Sequence, residues 1–114
     1  MGSWGKQFRH LGRVQENYIS ALNTGSVKFS TAGCSFGEPI TKHGLLDYLA
    51  RMDTLLDEAL LNPRTSIDWF GEDYTIERHL RALVQHEVLH HGQFILYARV
   101  AGLKLPSSWE AWGE

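Results

Sequence analysis

Apolar residues recur along most of this chain at intervals of three and four, the period of one helix face. Trp4, Phe8, Leu11, Val14, Tyr18 and Leu22 step through a first segment over about residues 3–23, with Asn23-Thr24-Gly25 as its stop and Ser3 as its cap. Leu45, Leu49, Met52, Leu56 and Leu60 line a second over 40–61, widened by Leu46, Tyr48, Leu55 and Ala59 and broken by Asn62-Pro63. Ile76, Leu80, Leu83, Val84, Leu89, Phe94, Ile95, Ala98 and Ala101 define a third over 74–101, which Gly102 ends and Pro106 keeps from resuming. No repeat, low-complexity tract or strand pattern stands out. The expectation is an all-α fold: an antiparallel helical bundle of three main helices forming a single domain over 1–114.

Two connections break the rhythm. Residues 25–39 are rich in Ser, Thr and Gly, and a loop of roughly fifteen residues is long for a compact domain. Phe29 and Phe36 are expected to pin it to the core. A shorter loop before Asp73 carries Trp69 and Phe70. The C-terminal segment, 103–114, holds Trp109 and Trp112 and is too aromatic to stand free in water, so it is expected to fold back on the bundle.

Composition narrows the function. A net charge of −2 over 114 residues gives no electrostatic reason to expect nucleic acid or an anionic membrane. No apolar run approaches membrane-spanning length and the first residues do not form a signal peptide. The lone Cys34 cannot make an internal disulfide, which favours the cytoplasm, and no nearby basic residue would activate its thiol. Of the carboxylates along the second helix, Asp53 or Asp57 could turn inward as a partner to a site.

The chemistry concentrates in His86-Glu87-Val88-Leu89-His90-His91-Gly92-Gln93. Residues four apart on a helix point nearly the same way, so His86 and His90 are spaced to share one metal ion. His-Glu-x-x-His is also the zinc-protease signature, with Glu87 as general base. Against that reading, no third histidine follows at a metzincin offset, Glu110 lies beyond Pro106, and no substrate-holding strand is evident. His79 shares the face but lies two turns from His86, roughly 10 Å away. That is too far for one ion and reads as pocket lining or core. His43 and His91 read as surface residues.

His86-x-x-x-His90-x-Gly92-Gln93, followed by Tyr97-Ala98-Arg99, Gly102, Pro106 and Trp109, resembles the last helix and tail of the DinB-like proteins. Trp4-Gly5-Lys6-Gln7-Phe8-Arg9-His10-Leu11 resembles that family's metal-site helix. The resemblance implies a four-helix bundle, which this chain is expected to form without the family's first helix. It also implies a divalent metal, zinc or nickel, held by His10, His86 and His90, with Gln93 as a polar group beside it. Some relatives are thiol S-transferases using bacillithiol, mycothiol or glutathione, so a small-molecule thiol cosubstrate and an electrophile, or hydrolysis by activated water, are the implied chemistry. The alternative is a metal-binding or structural helical protein without catalysis. Because a missing first helix would leave a groove, a homodimer in which the partner covers it is expected.

Overall fold

The structure is a computed structural model that describes residues 4–29, 36, 37 and 39–112, with side chains to Trp109. Ser3 and Cys34 lie outside the described residues. The order of elements is α1 (Trp4–Thr24), α2 (Lys42–Ala59), β1 (Ile67–Trp69), β2 (Glu72–Tyr74), α3 (Ile76–Val100) and a 3-10 turn over Ser107–Trp112. The chain is dominated by helix and the all-α expectation holds, but α1 and α2 run parallel rather than antiparallel, since Gly5 lies against Leu45, Gly12 against Tyr48 and Gln15 against Asp53. It divides into two compact units, Met1–Leu83 and Val84–Glu114.

In the first unit α1 packs on α2. Gly12 makes the approach possible: a Cβ there would lie 2.2 Å from Cε2 of Tyr48. Ile19, Tyr48 and Met52 are buried together, with Phe36 stacked on Tyr48 at 5.2 Å. That contact is the anchoring expected of Phe36. Gln15, buried on α1, donates through Nε2 to Oδ1 of Asp53 at 3.0 Å. Asp53 therefore serves the α1–α2 contact. Thr41 caps α2, its Oγ1 accepting from the Gly44 N–H at 3.0 Å. At the other end of α1, the Arg64 guanidinium donates twice to the Asn23 carbonyl, at 3.1 and 2.8 Å. It satisfies an acceptor that the helix itself leaves open.

The segment expected to be loop around Trp69 contains an antiparallel hairpin instead, pairing Ile67 with Tyr74 and Trp69 with Glu72. Phe70 and Gly71 take positive φ values of 54° and 96°, the two-residue turn that matches strand twist. Phe-Gly is not the usual sequence for such a turn, and its strands are three residues long, too short to show alternation. The Gly71 N–H bonds Oδ1 of Asp68 at 2.9 Å. The chain leaving α1 pairs with this hairpin, as Val27 N–H donates to Asp68 O and Asp68 N–H to Gly25 O. Ala21, Leu22, Val27 and Ile67 form a buried cluster beneath it. Phe29 stays half exposed yet meets Tyr18 and Trp69 at 5.8 and 5.7 Å between ring centres.

The second unit begins within α3. Among its described residues Phe94, Ile95 and Ala98 are buried and apolar. Gly102, at φ 71°, ends the helix: its own N–H bonds Arg99 O at 3.1 Å and the next, of Leu103, bonds Ala98 O at 2.8 Å. That pair of bonds is the Schellman stop anticipated from the glycine. The tail then turns so that the Trp109 ring stands edge-on to His91, 4.2 Å between centres. His91 is accordingly half-buried rather than on the surface, and the contact accounts for Trp109.

Candidate metal centre

His86 and His90 sit one turn apart on α3 with both rings half-buried. Their Nε2 atoms are 3.1 Å apart and their ring planes inclined at 61°. Two neutral imidazoles can hold Nε2 atoms that close only if one donates its proton to the other, or if both lone pairs face a shared cation. With metal–nitrogen bonds of about 2.05 Å, this separation corresponds to an angle of about 98° at the ion, between octahedral and tetrahedral values. That separation is compatible with two ligands of one divalent ion. In that state each ring carries its remaining proton on Nδ1.

His10 lies on α1, half-buried, and its Nδ1 accepts a hydrogen bond from Nη2 of Arg13 at 3.0 Å. A neutral His10 ring accepting at Nδ1 carries its proton on Nε2. Arg13 follows His10 by three residues on the same helix, so this neighbour was readable from spacing. His10, His86 and His90 together could hold a metal ion, each offering one ring nitrogen, and they are the group of this kind among the described residues.

Gln93 lies one turn beyond His90 and seven residues beyond His86, on the same side of α3, and is half-buried. Glu87 is exposed. His43 is also on the surface, 3.3 Å from Asp47.

His79 occupies the core of the first unit with no exposure at all. Its Nδ1 accepts from the Trp69 indole N–H at 3.0 Å, and its Nε2 lies 3.0 Å from the Tyr18 carbonyl, to which it donates. Both ring nitrogens are thus used, and the tautomer is fixed with the proton on Nε2. Burial pushes the His79 pKa below its usual range, partly offset by the bond to Tyr18 O. The neighbouring Tyr18 hydroxyl is shifted upward, first by burial and then by Tyr74. The value of Trp69 as the partner of a core histidine was hidden in the sequence, because the hairpin that brings it there was not visible.

A separate apolar pocket of about 430 Å³ lies between the N-terminal ends of α1 and α2, walled by Trp4, Phe8, Ile40, Leu45 and Leu49. No helix among the described residues is long and apolar enough to cross a membrane. No protein-family model matches the chain, and no curated protein matches it.

Proposed function

We propose that this chain is a divalent-metal-binding protein of the DinB-like kind, with His10, His86 and His90 as ligands and zinc or nickel as the ion. The observation that carries the reading is the 3.1 Å separation of the His86 and His90 Nε2 atoms, which suits two ligands of one ion. Three imidazoles leave coordination positions open, as catalytic sites require. An ion so held supplies Lewis acidity, lowering the pKa of a bound water or thiol into the neutral range. Around it, the chain's own residues have distinct tasks. His86 and His90 present Nε2 lone pairs from a rigid helix, and Gln93 offers an amide on the same side to orient a small ligand. The resulting activity is transfer of a small-molecule thiol, or of water, to an electrophile. The single cysteine in 114 residues supports a cytoplasmic setting.

One observation favours a second reading, a metal-binding or structural protein without catalysis. Arg13 donates to His10 Nδ1, which places the proton of His10 on the nitrogen a metal would use if bound through Nε2. Titration calorimetry with zinc and nickel separates the possibilities. One ion per chain is expected, weakened at least tenfold in His86→Ala and in His90→Ala, while His43→Ala binds as the parent does. Undiminished binding by the α3 variants would remove the ligand assignment. Metal-dependent conjugation of glutathione to a chloronitroaromatic, lost in the same variants, would support the transferase. Tight binding without such turnover would support the non-catalytic reading.

A further inference from the structure

None of the three histidines lines the pocket between the starts of α1 and α2, and every residue of its wall belongs to the first unit. Its form follows from spacing. Trp4 and Phe8 stand one turn apart on α1 and Leu45 and Leu49 one turn apart on α2, so each helix brings two bulky apolar side chains to the same space. Gly5 lets Ile40 close the wall beside α1, since a Cβ there would lie 2.7 Å from Cγ2 of Ile40. Among the described residues the lining contains no carboxylate, and Lys42, the first residue of α2, is its one charged group. That lysine is exposed, and its ammonium has no ion-pair partner among the described residues.

We propose that this pocket binds the hydrocarbon tail of a free amphipathic acid, a single aliphatic chain whose carboxylate rests at the mouth beside Lys42. Three features select that class. The volume, about 430 Å³, is nearly three times the roughly 150 Å³ that holds one benzene ring. By that ratio, with the open mouth allowed for, it takes one chain of roughly ten to fourteen carbons and not the two chains of a membrane lipid. The side chains of the wall are apolar apart from Thr41 and Lys42, so water there makes few hydrogen bonds and an apolar chain displaces it with a gain. The charge at the mouth is positive, which attracts a carboxylate and repels an alkylammonium ion. The site does not rest on the proposed metal, and the titrations that test it run in EDTA.

Calorimetry of the full chain with butanoate, hexanoate, octanoate and decanoate, all below micelle-forming concentrations, is the test. One site per chain is expected, tightening roughly two- to fourfold per added methylene. Decanoate is expected to bind more tightly than decanol, and decyltrimethylammonium more weakly than either. Lys42→Glu, a change at an exposed residue, should weaken decanoate by at least about threefold and leave decanol as in the parent. NMR locates the binding: the Trp4 indole N–H, identified by its loss in Trp4→Phe, should shift with decanoate while that of Trp69 stays. Sedimentation with phosphatidylglycerol vesicles separates a free acid from a membrane chain, and the protein is expected in the supernatant. Affinity that ignores chain length, an unmoved Trp4 signal, a cation bound as tightly as decanoate, or unchanged decanoate binding in Lys42→Glu each overturns the proposal. So do cosedimentation with the vesicles and a dimer that decanoate splits, which would give the pocket to a membrane or to a second copy.

Discussion

Replacing Gly12 by alanine sets two effects of opposite sign against each other. In a helix interior alanine is favoured over glycine by about 0.8–1 kcal/mol, which alone would stabilise the chain. The added methyl, however, would sit 2.2 Å from Cε2 of Tyr48 and 2.9 Å from its Cδ2. Carbon atoms in contact keep about 3.5–4.0 Å, so the ring must retreat by roughly 1.3 Å or more. It has little room, being 5% exposed and backed by Phe36. Overpacking of this kind costs about 1–3 kcal/mol, and the depth of the overlap puts it at the upper end. The net expectation is a loss of about 2 kcal/mol, or a fall in Tm of roughly 8 °C for a domain of this size. Thermal melts by circular dichroism read it directly. In the double variant Gly12→Ala, Tyr48→Leu, the smaller side chain relieves the overlap, so the two changes should be non-additive by at least about 1 kcal/mol. A Tm for Gly12→Ala that is unchanged or raised would refute this account of the α1–α2 contact.

The remaining predictions concern the histidines. His79 has a folded-state pKa below its unfolded one, so the unfolded chain takes up a proton that the folded chain refuses. Its contribution is therefore constant above the unfolded pKa of about 6.5 and turns unfavourable as pH falls through that value toward the folded pKa, by at most about 1.4 kcal/mol per pH unit. Urea midpoints at pH 7.5 and 5.5 should fall more for the parent than for His79→Gln, and equal slopes would contradict the burial argument. Arg13→Ala frees Nδ1 of His10 from its donor and should tighten zinc binding by up to about tenfold, since a hydrogen bond to a charged group no longer competes. Weaker binding in that variant, measured by competition with a chromophoric chelator, would show that Arg13 supports the ligand state instead.

The parts of this protein that could be read from its sequence are those set by local periodicity. The stripes from Trp4 to Leu22 and from Leu45 to Leu60 fix two helices, and the run from Ile76 to Ala101 fixes the third, because one face of each is apolar at helical spacing. The pairing of His86 with His90 was legible for the same reason, being a property of one helix. What could not be read depends on residues distant in sequence. The hairpin at Ile67–Tyr74 has strands too short for a pattern and a turn led by Phe70, a residue that rarely takes positive φ. With the hairpin unseen, the burial of His79 between Trp69 and Tyr18 had no signal, since an i,i+7 relation to His86 also fits a pocket. His91 was misplaced because Trp109 reaches it only once the tail has turned at Gly102 and Pro106.

X-ray absorption spectroscopy on nickel- or zinc-loaded protein tests the central claim most directly, because it counts the nitrogen ligands rather than inferring them from affinity. The account predicts an inner shell that includes three imidazole nitrogens at about 2.0–2.1 Å, falling to two in His10→Ala and likewise in His90→Ala. A shell of oxygen ligands alone, or one that keeps its imidazole count when His90 is removed, would contradict it.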